Sequence, residues 1–409
     1  MHILFLTDNF PPEGNAPATR TYEHARVWVK LGHKVTIVTG VPNFPEGKVF
    51  KGYKNRWFQK ETVDGIEVRR VKTYITANEG FAKRILDFMS FMVTSFFAGL
   101  FVKKPDVIIG TSPQFFTAVS AWALSAIRLK PFVFELRDIW PASITAVGAM
   151  RRSLPIRILE KIEMFLYHRA DKIISVTHSF KSELIERGVD GNKIDVVLNG
   201  VDLTQYEPTI EKDENFAEQY DLKCKFVVGY VGTHGLAHAL DKIIEAAKHL
   251  TEIKDLRIVF AGGGAAKADV ERLVNESGLK NIVLIPRQPK ELMPQLWSLC
   301  DISLISLKDT ELFKTVIPSK IFESMGMGLP MVMTAPEGEA TEIVAGVNSG
   351  LIVKPESPEK VVEAICELYL DREKLKMLAE NSHKAAKLYD RNELAKTMLH
   401  TLEELCAKK

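Results

Sequence analysis

Apolar runs of four to six residues recur along the chain, separated by longer stretches in which apolar positions return every three or four residues. In the first half this pattern predicts strands at His2–Thr7, Lys34–Thr39, Val68–Val71, Val107–Gly110, Phe132–Glu135 and Lys172–Val176. In the second half it predicts them at Phe226–Val231, Arg257–Ala261, Ile282–Ile285, Ile302–Ile305, Met331–Thr334 and Gly350–Val353. Short strand-forming runs divided by helical stretches imply parallel sheets covered by helices on both faces. The predicted fold class is therefore α/β, with a Rossmann-like doubly wound sheet in each half.

A length of 409 residues exceeds one ordinary core. The break in patterning at Asn199-Gly200-Val201-Asp202, followed by the polar stretch Tyr206–Tyr220, reads as a linker. Three segments follow: a first domain at 1–202, a second at 203–384, and a charged amphipathic helix at 385–409 that returns to the first domain.

Composition narrows the function classes. With 46% hydrophobic and 26% charged residues the chain is globular, which excludes disordered and fibrous classes. Four scattered cysteines without ligand spacing read as reduced thiols in a cytoplasmic protein. The opening MHILFLTDNF is a first strand rather than a signal peptide. The net charge of +2 hides an asymmetry: residues 1–200 carry 28 Lys and Arg against 19 Asp and Glu, and the remainder carries 26 against 33. A basic first half suits an anionic partner, and nucleic acid is disfavoured because no recognition motif accompanies the charge. One segment, Ile85–Phe101, is rich in Phe and Met and bracketed by Lys83-Arg84 and Lys103-Lys104. It is marginal for a membrane span, and reads either as a buried helix or as an interfacial one making peripheral membrane contact.

Ligands of doubly wound sheets bind beyond the carboxyl ends of the strands, so the loops there are the candidates for chemistry. The first strand opens into Asp8–Arg20, where Gly14 permits close backbone approach and a helix start offers free N–H groups. The absence of G-x-G-x-x-G disfavours a dinucleotide, and no other cofactor is expected. In the second half, glycine turns at Gly229–Gly235 and Ala261–Gly264 follow successive strands. The sharpest constellation is Pro318-Ser319-Lys320-Ile321-Phe322-Glu323. Pro318 suits a first helical turn, leaving the N–H groups of Ser319 and Lys320 to meet phosphate oxygens beside the lysine charge. Glu323, one turn on, can accept hydrogen bonds from both hydroxyls of a ribose. Together they describe a grip on a nucleoside diphosphate.

This segment resembles the donor site of glycosyltransferase family 4, the retaining GT-B enzymes. Arg137-Asp138-Ile139-Trp140-Pro141 and Asn199–Asp202 extend the resemblance over nearly the whole chain, and bring it closest to the bacterial amino-sugar (fucosamine-type) transferases of surface polysaccharide biosynthesis. The resemblance implies two domains facing a cleft and a nucleotide-sugar donor, UDP-sugar above others. It implies a lipid-pyrophosphate-linked or saccharide acceptor, and a cytoplasmic enzyme peripheral on the inner face of the membrane. The candidate donor set is Gly14, Gly232, Thr233, His234, His238, Gly263, Arg287, Thr315, Pro318, Ser319, Lys320 and Glu323. The candidate acceptor set is Asn15, Arg20, Thr111, Arg137 and Asp138.

The chain also departs from the family pattern. Thr315 stands where the family has a Glu eight residues before the ribose-binding one, and Thr233 and His238 replace an Arg and a Lys. Lys320, with His238 protonated by its anionic neighbour, is expected to take over the missing charge. No Asp-x-Asp occurs in a metal-binding context, so a metal-independent transfer is expected, with Lys320 stabilising the leaving diphosphate and Asp138 orienting or deprotonating the acceptor hydroxyl. Asp138 can equally cap a helix or pair with Arg137. Two other functions fit the same residues: a non-hydrolysing UDP-sugar 2-epimerase, and a non-catalytic nucleotide-sugar-binding partner.

Overall fold

A computed structural model describes residues 1–44, 46–76, 81–140, 154–208 and 211–408. The chain divides into two compact units, Met1–Leu198 with Arg391–Lys409, and Asn199–Asp390. The crossover into the second unit thus falls after Leu198 rather than Asp202, and the return segment begins at Arg391 rather than 385, because the preceding helix Arg372–Ala386 belongs to the second unit.

Among the described residues the first unit holds eight strands: β1 (His2–Leu6), β2 (Lys34–Thr39), β3 (Phe58–Val63), β4 (Ile66–Val71), β5 (Val107–Thr111), β6 (Phe132–Leu136), β7 (Lys172–Ser175) and β8 (Ile194–Val196). Their order is β3-β4-β2-β1-β5-β6-β7-β8, and every neighbouring pair is parallel except the β3–β4 hairpin. The strand period shows in β1, where Leu4 and Leu6 enter one core and Ile3 and Phe5 the other. Helices Phe81–Leu100, Phe116–Arg128 and Leu154–Arg169 pack on the first of these cores. Helix Ala16–Lys30 and the returning helix Arg391–Ala407 cover the other; Trp28 donates its indole N–H to the Ala395 carbonyl at 2.8 Å, and Met398 and Leu402 are fully buried. Strands β3 and β8 escape the sequence pattern: β3 alternates between exposed and half-buried positions and carries no apolar run, and β8 is three residues long.

The second unit is an all-parallel sheet of β9 (Phe226–Thr233), β10 (Leu256–Gly263), β11 (Ile282–Pro286), β12 (Ile302–Ser306), β13 (Met331–Thr334) and β14 (Gly350–Val353), in the order β11-β10-β9-β12-β13-β14. Both β9 and β10 run two residues past the predicted ends. The ladder continues through Gly262 opposite Gly232 and Gly263 opposite Thr233, so the residues read as turns still lie in the sheet. This continuation requires glycine. Gly262 has φ +144°, and a Cβ there would sit 1.8 Å from the Gly232 carbonyl oxygen.

Candidate functional site

The strand order of the second unit reverses direction between β9 and β12, and at such a switch point the strand ends leave a crevice. Gly232, Thr233 and His234 leave β9 there, while Ser306 ends β12. The His234 N–H donates to the Gly263 carbonyl at 2.9 Å, and Gly264, φ +151°, follows the crossing. The two glycine turns of the sequence are therefore one backbone-lined cradle. Arg287 leaves β11 beside it, exposed, with its Cβ 3.8 Å from where a Gly263 Cβ would lie.

Lys320 reaches the same crevice from helix Lys320–Gly326. That helix is tied to β12 by Ser324, whose hydroxyl lies 2.6 Å from Ser303 Oγ and 2.7 Å from the Lys320 carbonyl. The lysine is 7% exposed and its Nζ has no hydrogen-bond partner among the described residues. It stands 3.5 Å from the centroid of the Tyr230 ring and 3.6 Å from where a Gly232 Cβ would lie. The cation–π contact compensates in part for lost hydration, but a buried ammonium with three unused donors is costly. Burial accordingly pushes the Lys320 amine down to about 7, with Glu323 opposing the shift. Near neutral pH this amine is poised between its charged and neutral forms, and its Nζ has no hydrogen-bond partner among the described residues.

Two histidines line the same crevice. His238 points Nδ1 at the Ser306 carbonyl, 3.0 Å away, so that nitrogen carries the proton. Burial first and Lys320 second push His238 down to about 4, and do the same to His234, whose two ring nitrogens are buried without partners among the described residues. With no anion beside them among the described residues, both rings are neutral at physiological pH. Lys267, whose Cδ lies 3.9 Å from where a Gly263 Cβ would be, is a nearby charge that no sequence motif points to.

Pro318 precedes the helix rather than opening it, since Ser319 is the N-cap and Lys320 the first helical residue. Its carbonyl accepts the Ile321 N–H at 3.1 Å. Glu323 is half-buried, with Oε2 accepting the Trp297 indole N–H at 3.1 Å. The indole fixes the carboxylate by one oxygen and leaves Oε1 to accept from elsewhere, a geometry suited to a diol. Trp297 was invisible in the sequence because its helix, Met293–Ser298, carries no motif. Thr315 caps the short helix Glu311–Lys314, and its hydroxyl donates to the Leu312 carbonyl at 3.0 Å.

The candidate acceptor residues sort differently. Asn15 caps helix Ala16–Lys30, accepting the Ala18 N–H at 3.0 Å, and a Cβ on Gly14 would point into open space. Buried Glu13 ties down this loop by accepting the N–H groups of Asn43, Phe44 and Phe10. Beside it, Pro12, Lys48, Phe50, Lys51 and Tyr53 line an open cavity of about 670 Å³. Arg137 and Asp138 both donate backbone N–H to Ser112 Oγ, at 2.8 and 3.2 Å, and the Arg137 guanidinium reaches the Pro17 carbonyl. Burial lowers Arg137 to about 10, still cationic at neutral pH. Arg20 is a correction. Its Nε meets Glu135 at 2.9 Å and its terminal nitrogens the carbonyls of Leu198 and Val197 at 2.8 Å, so the guanidinium braces the fold and is closed to an acceptor. Thr111 is a second: it is buried, with its hydroxyl on the Ser112 carbonyl at 3.0 Å. Pro141 lies outside the described residues.

Comparison with known proteins places the chain in a family. Residues 17–205 match the model described as Glycosyltransferase Family 4, and residues 211–385 match Glycosyl transferases group 1. The chain belongs to the GT-B glycosyltransferases of family 4. This glycosyltransferase is 27% identical over 378 residues to the putative colanic acid biosynthesis glycosyl transferase WcaI of Escherichia coli K12, covering 89% of this chain and 91% of that one. It is 23% identical over 274 residues to the probable glycosyltransferase WbjE of Pseudomonas aeruginosa, covering 66% and 68%. Among solved structures, sucrose-phosphate synthase of Thermosynechococcus elongatus superposes with a TM-score of 0.79 at 15% identity over the whole of both chains. Anabaena HepE in complex with UDP superposes with a TM-score of 0.71 at 18% identity, covering 99% of this chain and 100% of that one. These structural likenesses concern the GT-B fold. Among the described residues no group of three or more His, Cys, Asp or Glu is gathered as a metal cluster would need.

Proposed function

We propose that this glycosyltransferase moves a hexosyl unit, an N-acetylated amino sugar, from a UDP-sugar to a lipid-pyrophosphate-linked or saccharide acceptor, with retention of configuration, in surface polysaccharide biosynthesis. The observation that carries the donor assignment is the buried, unpartnered ammonium of Lys320 beside the glycine cradle, with the oriented carboxylate of Glu323 one helical turn away. A diphosphate supplies the anion that Lys320 lacks, and a ribose diol supplies the donors that Glu323 accepts. UDP is favoured by the likeness to HepE, which binds it, and polysaccharide synthesis by the likeness to WcaI.

In this reading the bond between the anomeric carbon and the diphosphate oxygen breaks with its electron pair on the oxygen. Lys320, beside the glycine cradle, meets that growing charge. The acceptor hydroxyl attacks from the same face of the sugar, and its proton passes to Asp138 or to the departing diphosphate. Arg137 stays cationic beside Asp138 and holds an anionic acceptor near it. The leaving-group charge is met by protein groups without a metal, and the enzyme works in the cytoplasm at the membrane's inner face. Titration calorimetry with UDP, UDP-sugars and uridine tests the donor site: tight UDP with weak uridine supports it, and equal weak binding of all three overturns it. Incubation with a UDP-sugar and an oligosaccharide acceptor, followed by NMR of the anomeric proton, tests transfer and retention. A donor isomerised without acceptor overturns the transferase in favour of an epimerase.

A further inference from the structure

The helix at Phe81–Leu100 has two apolar faces. Phe91, Ser95 and Ala98 are buried in the first unit's core, with Ile85, Phe88, Met92 and Phe96 packed against it. On the opposite side Leu86, Met89, Val93 and Phe97 recur at helical spacing and are all exposed, and Phe101 just beyond the helix is 76% exposed. This stripe is not isolated. Gly99 lets the helix press so close on its neighbour Phe116–Arg128 that a Cβ would lie 2.3 Å from Leu124. That neighbour ends in exposed Ile127 and Leu129, the latter 88% exposed. Trp122 then meets Phe165 edge-on at 4.9 Å, joining a third helix, Leu154–Arg169, whose exposed stripe is Leu154, Ile158 and Phe165.

Scattered exposed leucines need no explanation, but apolar stripes on two helices, with exposed Ile127 and Leu129 at the end of the helix packed between them, do. The charges around them have one dominant sign. Lys83, Lys103, Lys104, Arg157 and Lys161 are exposed on these helices or at their ends, while the acidic residues Asp87, Glu160 and Glu163 are half-buried or buried. No helix among the described residues is long and apolar enough to cross a membrane. We infer that the outward faces of these three helices form one platform that lies on an anionic lipid leaflet, its apolar stripes inserted to interfacial depth and its lysines and arginines on the headgroups. A second protein of ordinary composition does not match this combination of wide apolar stripes and one-signed rim as well as a leaflet does. The inference rests on the peripheral placement in the proposed function and deepens it from one helix to a three-helix surface.

The test is co-sedimentation of the full chain with phosphatidylcholine vesicles, with and without about one-third phosphatidylglycerol. Two variants separate the platform from a single helix: Leu86→Ser/Val93→Ser/Phe97→Ser on the first helix, and Ile127→Ser/Leu129→Ser/Ile158→Ser on the other two. Leu370→Ser, an exposed leucine of the second unit, is the control. The expected result is partition of the wild type and the control onto anionic vesicles, weakened by salt, and a loss of about tenfold or more in each triple variant. UDP binding measured on the same preparations stays unchanged, which separates failure of the platform from failure of the donor site or of folding. Equal pelleting of wild type and second triple variant overturns the three-helix platform. So does a wild type that stays in the supernatant at low salt, or one that forms a vesicle-free dimer dissolved by the same substitutions.

Discussion

Two buried charge clusters sit at strand ends of this protein, one in each unit, and they are built on opposite principles. In the first unit Arg20 lies between Glu135 and two backbone carbonyls, and Arg391 of the returning helix pairs with Glu23. Each of these charges has its counter-charge, and burial lowers Arg20 while Glu135 restores it. In the second unit Lys320 is also buried, yet its amine stands over the Tyr230 ring, with Glu323 as the carboxylate acting on it at longer range and two neutral histidines nearby. A satisfied buried pair holds a fold together, whereas an orphaned buried cation costs stability and marks where a ligand completes the structure. Both are buried; they differ in that the Arg20 guanidinium meets a carboxylate and two carbonyls, whereas Lys320 Nζ has no hydrogen-bond partner among the described residues.

The largest test of that contrast removes Arg20. Arg20→Ala leaves Glu135 buried without its cation and should destabilise the first unit by about 3–5 kcal/mol, read as an earlier unfolding transition in urea. A shift below about 1 kcal/mol would place Arg20 outside the structural class.

Lys320→Met should act with the opposite sign on stability. Its folded amine, pushed down to about 7, binds fewer protons than the unfolded amine between that pH and its ordinary value near 10.5. Wild-type stability therefore rises with pH across this window, and the full cost of the buried ammonium is present below it. The methionine variant should lack this slope, be at least as stable as wild type near neutrality, and bind UDP more weakly by about 1.5–3 kcal/mol with little change for uridine. UDP binding to wild type at pH 8 should take up a proton, seen calorimetrically as a buffer-dependent enthalpy. Absence of proton uptake would mean the diphosphate lies elsewhere.

Glu323→Gln should weaken nucleoside and nucleotide alike by about 1.5–3 kcal/mol, because its partner is the ribose. Trp297→Phe, which frees the carboxylate from its indole N–H at 3.1 Å, should cost about 0.5–1.5 kcal/mol of the same affinity. An effect on UDP with none on uridine would move Glu323 from ribose to phosphate. The smallest expected effect is that of chelation: turnover in excess EDTA should equal turnover with Mg²⁺. Loss on chelation with recovery on adding metal would assign the leaving-group charge to an ion rather than to Lys320.

Much of the fold was legible along the chain. The six strands of the second unit and six of the eight in the first follow from apolar runs, which survive even in the partly exposed edge strands β11 and β14. Strand β3, with its polar run FQKETV, and three-residue β8 carry no such run. In the candidate site, Pro318, Lys320 and Glu323 stood out because phosphate and ribose chemistry demands those residue types at that spacing. The fates of Arg20 and His238 did not show, because each depends on partners distant in sequence: Glu135, Val197 and Leu198 for the arginine, Ser306 and Lys320 for the histidine. Periodicity and helical spacing are local properties, so the two α/β sheets, the glycine turns and the Lys320–Glu323 spacing could be read along the chain. Which buried charges are paired and which histidines are neutral could be read only in the fold, because desolvation and hydrogen-bond satisfaction belong to the packed surroundings of a side chain.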